Sequence, residues 1–242
     1  MGRYLIYGGN GGIGEAIARR LATAGHDLVL AGRNDEELQA LAGEIGAQTV
    51  TCDVTDDNAI ATAAEAAGEI LDGLVYAVGT INLKPFARLK GEDFLNDFNL
   101  NALGAAKAIQ ASLPALQKAP DGASVLLFST VAVDQGFAAH ASIAMAKGAV
   151  VGLTRSLAAE FAPQIRVNAI APSLVDSTLG KRVASSEKMA EAVAKMHPLP
   201  RLGRPDDIAA MGEILLTDAG SWITGQVIGI DGGRSTLRVA RG

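Results

Sequence analysis

The chain has 242 residues, 49% of them hydrophobic and 28 of them glycine, a length that suits one large α/β domain or two small ones. Its formal net charge of −5, without any basic run, makes nucleic acid and anionic membrane poor partners. A lone cysteine, Cys52, rules out an intrachain disulfide, no apolar stretch approaches the roughly 18 residues of a membrane span, and the first residues lack a signal-peptide pattern; a cytoplasmic protein is expected.

Short apolar runs alternate with amphipathic segments almost throughout. YLIY (4–7) reads as a first strand, followed by a glycine cluster and a helical segment, 13–25. DLVLAG (27–32) is a second strand, DEELQALAGEI (35–45) a second helix and QTVTCDV (48–54) a third strand. Segment 55–69 reads as a helix capped by Thr55, with acidic residues behind it. LDGLVYAVG (71–79) supplies a fourth strand, and a long helical region covers 93–117. SVLLFST (124–130) is a fifth strand and 138–161 an alanine-rich helix; IRVNAIAP (165–172) and VIGID (227–231) are the sixth and seventh strands. This order predicts a Rossmann-like, doubly wound α/β fold, a seven-stranded parallel sheet with helices on both faces. No linker or repeat divides 1–242, so a single domain is expected. The long connection 173–200, with a short helix near 187–196, is expected to form a substrate flap.

GGNGGIG (8–14) lies between the first strand and the first helix. Gly8, Gly12 and Gly14, with Asn10 and Ile13 between them, form a loop whose backbone can approach a pyrophosphate. The helix that follows offers free N–H donors and the positive end of its dipole. About 20 residues on, an NAD-binding fold places an acidic residue against the ribose hydroxyls. Here that place holds Gly32, followed by Arg33. A guanidinium grips a 2′-phosphate that a carboxylate would repel, so NADP(H) is the expected cofactor.

The order of motifs resembles the short-chain dehydrogenase/reductase family over essentially the whole chain. The glycine loop looks like the family's Thr-Gly-x-x-x-Gly-Ile-Gly, with Tyr7 in the threonine place. CDV (52–54) matches the adenine-binding Asp-Val at Asp53 and Val54, and YAVG (76–79) keeps Gly79 of the usual Asn-Asn-Ala-Gly. NALGAAKAIQA (101–111) puts the family's active-site asparagine at Asn101, with Asn99 as a less well-spaced alternative. IRVNAIAPSLVDS (165–177) resembles the strand and loop that contact the nicotinamide, which implies cofactor contacts at Pro172, Val175 and Ser177. Ser173 stands there for the usual glycine. Residues 197–233 are close to the family's C-terminal signature.

The active-site motif departs from the family's. Its reductases use Tyr-x-x-x-Lys with a serine 13 residues before the tyrosine; aligned on Lys147, these places hold Ile143 and Thr130. Lys147 keeps the role of binding the nicotinamide ribose, and Thr130 can still donate to a substrate oxygen. The superfamily's enoyl reductases place their tyrosine seven residues before the lysine, a place held here by His140. Seven helical residues are two turns, so His140 and Lys147 are expected on one helix face, with Ile143 between them and Ser142 turned away. His140 is the leading replacement acid, although the nearby cation disfavours its charged form.

Tyr7 and Tyr76 are expected to pack against the cofactor, and His197 to be carried by the flap. No His or Cys pair has metal-ligand spacing, so no metal is expected. Three readings stand: an NADP(H)-dependent oxidoreductase acting on a carbonyl or activated C=C of a small, apolar substrate; a catalytically silent NADP(H)-binding or redox-sensing protein; and a scaffold without ligand. The family resemblance also implies a homo-oligomer, a dimer or tetramer.

Overall fold

The computed structural model describes residues 1–184 and 186–239; Ser185 of the expected flap and the end of 1–242 lie outside the described residues. Seven parallel strands form one sheet: β1 (Arg3–Tyr7), β2 (Asp27–Gly32), β3 (Gln48–Thr51), β4 (Gly73–Tyr76), β5 (Ala123–Phe128), β6 (Ile165–Pro172) and β7 (Val227–Ile230). Their order across the sheet is β3-β2-β1-β4-β5-β6-β7. The helices are α1 (Gly12–Thr23), α2 (Asp35–Ile45), α3 (Asp57–Ala66), α4 (Gly91–Phe98), α5 (Gly104–Leu116), α6 (Ala141–Phe161), α7 (Thr178–Val183), α8 (Glu187–Ala194) and α9 (Pro205–Leu216).

Side chains alternate across a strand, and both faces here are apolar. Tyr4, Ile6, Leu28 and Leu30 pack with α1, α2 and α9, while Leu5, Tyr7, Val29 and Ala31 pack with α3, α5 and α6. Full burial of each Leu or Ile stabilises by about 1.5–3 kcal/mol, so the sheet is a firm base for the loops at its ends. Among the described residues no helix is long and apolar enough to cross a membrane.

Where local chemistry is decisive, element ends agree with the sequence reading. Asn34 accepts from Glu37 N at the start of α2, and Gly46 ends it in the left-handed region at φ +72. Three helices depart from that reading. Asp56, not Thr55, caps α3, because Asp53 Oδ1 draws in both Thr55 N (2.9 Å) and Thr55 Oγ1 (2.7 Å). The helical region expected over 93–117 begins earlier and is not one α-helix: α4 and α5 are joined by a π turn, Asn99–Leu103. The helix expected from 138 starts at Ala141, after Ala139 takes a left-handed φ of +64. His140 is therefore the residue before the helix, not part of its first turn.

Between β1 and β4 the chain reverses the direction in which it adds strands. Loops leaving those two neighbouring strands run apart, and a doubly wound sheet binds ligands in the crevice that opens there.

Candidate active site

The ends of β1, β4, β5 and β6 surround a cavity of about 390 Å³. Ile13 at the start of α1 borders it, as do residues 77–81 after β4 and 128–132 at the end of β5. His140, Ile143 and Lys147 form another wall, Pro172 borders it at the end of β6, and Val175, Ser177, α7 and α8 close it from the expected flap.

The glycine loop lies on one side. Gly8 has φ +76, and a Cβ there would stand 2.9 Å from the Ala77 main chain; a Cβ on Gly14 would strike the Gly8 carbonyl. Gly12 lies so close to Ser177 that an added Cβ would be 3.0 Å from the serine Cβ. No side chain caps α1 at Gly11, which leaves its first-turn N–H groups for an anion. These features fit a dinucleotide pyrophosphate.

Farther along this edge, Asn10 Nδ2 donates to Glu37 Oε2 at 2.7 Å, and a Cβ on Gly32 would meet Asn10 Oδ1 at 2.6 Å. Arg33 is exposed and makes no ion pair among the described residues. The hydrogen bonds from Thr55, helped by the charge of Arg33, hold the Asp53 carboxyl below its ordinary range. Val54 beside it is buried. Arg33, Asp53 and Val54 lie outside the lining of the cavity itself.

At the centre, Gly79, Asn101 and Lys147 converge: a Cβ on Gly79 would lie 3.0 Å from Asn101 Oδ1 and 3.4 Å from Lys147 Nζ. Lys147 is buried, and its ammonium donates to the Phe128 carbonyl at 2.8 Å. Burial lowers its pKa to about 8, against the opposing pull of the Asp97 carboxylate. Asn101 is buried and Asn99 exposed. Asn101 Nδ2 donates to Asp97 O (2.8 Å) and to Thr80 Oγ1 (2.9 Å), and Thr80 Oγ1 donates to Asp97 Oδ1 (2.8 Å). Ser142 Oγ donates to Asp97 Oδ2 at 2.5 Å, which turns it away from the cavity. These hydroxyls keep a buried carboxylate satisfied behind the lysine.

Thr130, half-buried in the wall, accepts from Ala132 N at 3.3 Å. His140 Nδ1 lies 2.8 Å from the Ala138 carbonyl, and its ring meets Phe137 edge-on with centroids 5.3 Å apart. Because a carbonyl can only accept, this contact needs the hydrogen on Nδ1, which leaves Nε2 as the ring's other polar atom. Ile143, 4% exposed, lines the same wall.

The family model described as "Enoyl-(Acyl carrier protein) reductase" matches residues 8–235. The chain is 36% identical over 252 residues to Oxidoreductase UcpA of Salmonella typhimurium, covering 96% of this chain and 94% of that protein. It is 34% identical to D-threitol dehydrogenase of Mycolicibacterium smegmatis, over 95% of this chain and 91% of the relative. A solved short-chain type dehydrogenase/reductase from Mycobacterium ulcerans superposes with a TM-score of 0.90 at 29% identity, covering 97% of this chain and 90% of that one. The chain belongs to the short-chain dehydrogenase/reductase family. The family's members are oxidoreductases that use a nicotinamide cofactor, NAD(H) or NADP(H).

Two residues of this family member are not where the sequence reading put them. Tyr7 and Tyr76, expected against the cofactor, do not line the cavity; their rings lie 5.9 Å apart within the buried cluster beneath it. Their hydroxyls donate to Ile60 O (3.4 Å) and Leu100 O (2.7 Å), and burial pushes both phenols up. His197 lies within the 173–200 segment, 2% exposed and tucked behind the cavity wall, with Nε2 2.9 Å from Ser173 Oγ.

Sequence reasoning missed Thr80, Asp97, Phe137 and Arg234. Asp97 and Ser142 are 45 residues apart, and no local pattern pairs them. Arg234 follows Asp231-Gly232-Gly233, and only the returning chain brings its side chain to the cavity wall.

Proposed function

We propose that this protein is an NADP(H)-dependent oxidoreductase that reduces a carbonyl or an activated C=C of a small substrate with a largely apolar body. The observation that carries this is the convergence of Thr130, His140 and Lys147 on one cavity beside the glycine loop. The names of the relatives, an oxidoreductase and a dehydrogenase, support redox turnover. In this reading Gly8, Asn10, Gly12, Ile13 and Gly14 hold the pyrophosphate, Arg33 the 2′-phosphate, and Asp53 with Val54 the adenine. Gly79, Lys147, Pro172, Val175 and Ser177 hold the nicotinamide half, and the bound cofactor supplies the hydride.

The remaining work falls to side chains. Lys147 donates to the ribose hydroxyls, and Asn101 keeps its approach beside Gly79 in place. Thr130 donates to the substrate oxygen. Ile143 stands in the place of the family's tyrosine and, as a hydrocarbon, moves no proton. His140 takes over as acid: its imidazolium gives the Nε2 proton to the substrate atom that hydride transfer leaves electron-rich, and returns to the neutral ring. The 173–200 segment acts as the substrate flap of one domain. Exposed Leu95, Phe98 and Leu103 on and after α4 support assembly as a homodimer or tetramer, and the lone buried Cys52 supports a cytoplasmic setting.

Ile143 also favours a second reading, a silent NADP(H)-binding or redox-sensing protein. NADPH oxidation by purified protein across matched ketones, aldehydes and conjugated enones separates the two. Turnover on enones alone fits the His140–Lys147 spacing, and turnover on ketones makes Thr130 the main substrate contact. NADPH binding with no turnover across the panel selects the second reading.

A further inference from the structure

Arg234 is a guanidinium in the cavity wall for which the reading above has no task. Gly232 and Gly233, at φ +64 and +85, turn the chain back after β7. Asp231 locks the turn by accepting from Gly233 N and Ser235 N, both at 2.8 Å, and from the Ser235 hydroxyl. Gln135 Nε2 donates to the Arg234 carbonyl at 2.9 Å, which ties the turn to the loop after β5.

The side chain is held by neutral groups. Its Cζ lies 4.8 Å from the centre of the Phe137 ring, a cation–π contact that fixes the plane of the guanidinium. Nη1 donates to Ser173 Oγ at 3.3 Å, and Nη2 approaches Met196 Sδ at 3.4 Å. Ser173 Oγ in turn lies 2.9 Å from His197 Nε2, so the serine is itself braced from behind. Arg19, Arg20 and Arg201 all bridge to carboxylates, whereas Arg234 makes no ion pair among the described residues. Asp231 contributes only at longer range, its oxygens being occupied by the turn.

A guanidinium has five N–H donors in a planar fork, and among the described residues its partners here are one hydroxyl at the long end of hydrogen bonding and one thioether. A part-buried cation with no ion pair among the described residues, pre-oriented by an aromatic ring at the wall of an apolar cavity, is complementary to a planar anion.

We propose that Arg234 anchors a substrate carboxylate, so that the cavity takes a small oxo acid or unsaturated acid. The acid has an apolar middle. Its carboxylate sits on Arg234, and its reducible group lies toward Thr130 and Lys147. One cation suits a monoanion better than a phosphate dianion. The proposal rests on the reductase reading for the fate of the substrate, but not for its binding.

The test therefore measures binding and turnover separately. Hexanoate and methyl hexanoate, which cannot be reduced, are titrated into NADPH-loaded protein by calorimetry. Hydrogen bonds to charged groups are worth roughly 10- to 100-fold in affinity, so hexanoate should bind at least about tenfold tighter than the ester. Arg234→Ala and Arg234→Gln should abolish that preference with NADPH affinity unchanged, which also reports that the variants are folded. Arg234→Lys, which keeps the charge without the fork, should restore part of it. Equal affinity for acid and ester in the parent, no hexanoate binding, tighter binding of propyl phosphate than of hexanoate, or a preference that survives in Arg234→Ala would overturn the proposal. Turnover is then compared for 5-oxohexanoate and its methyl ester. A preference in binding without turnover of either leaves the anchor standing and removes the reductase reading. Equal turnover of acid and ester removes the anchor and keeps the reductase.

Discussion

The glycine loop beside the cavity and the cavity wall itself are built in different ways. The glycine loop is local: seven consecutive residues, 8–14, set its shape through positive φ and contacts that no Cβ would permit. The wall is assembled from residues far apart in the chain, among them Thr80, Thr130, His140, Lys147, Ser173 and Arg234. A local device has one backbone solution and tolerates little change. An assembled wall can keep its shape while its chemistry is altered one side chain at a time. The replacement of a tyrosine by Ile143, proposed above, is a change of the second kind.

That contrast predicts the largest effect on the loop side. Gly14→Val places a side chain against the Gly8 carbonyl, where backbone must move; a destabilisation of about 3 kcal/mol and loss of NADPH binding are expected, read by thermal melting and fluorescence titration. A variant that melts like the parent and binds NADPH would break the comparison.

On the assembled side, folding should survive and chemistry should not. His140→Ala is expected to lower turnover by roughly 10²- to 10⁴-fold with NADPH affinity unchanged. Parent-like activity would take His140 out of the mechanism.

Lys147 sharpens the same point through pH. Its ammonium has a pKa of about 8 against an ordinary value of 10.5, so a cofactor-ribose bond that needs the charge weakens as pH rises through about 8. Stability runs the other way. Between about 8 and 10.5 the unfolded chain holds a proton that the folded chain lacks, so folding gains stability with pH across that window and is insensitive to this group below it. Lys147→Arg, which stays charged, should remove the decline in NADPH affinity, and an unchanged profile would separate Lys147 from cofactor binding.

The smallest effect is expected at the exposed rim. Arg33→Ala should weaken NADPH by roughly tenfold and leave NADH nearly unaffected, since a solvent-exposed contact to phosphate is partly screened. Equal losses for both cofactors would remove the 2′-phosphate role.

Much of this architecture is readable residue by residue. The strands 27–32 and 165–172 and the helix 35–45 agree with Asp27–Gly32, Ile165–Pro172 and Asp35–Ile45, because apolar runs and caps at their ends are local signals. The strands expected over 48–54 and 71–79 stop at Thr51 and Tyr76. Their last residues leave the strands for the loops at the same edge of the sheet, and apolar character continues past the final ladder hydrogen bond. Thr55 has the side chain of a good cap but is already engaged by Asp53.

What the sequence determined by itself is whatever rests on short-range geometry: the alternation that makes a two-faced parallel sheet, and the glycine spacing that lets backbone pack against backbone in the loop after β1. What only the tertiary structure decided is where long-range polar partners meet. Asp97 takes Ser142 and Thr80, Tyr7 and Tyr76 retreat into the core, and Arg234 returns to the cavity over Phe137. Such pairs form because each element has one buried face, and the packing of those faces brings the remaining side chains together; no spacing along the chain encodes which ones.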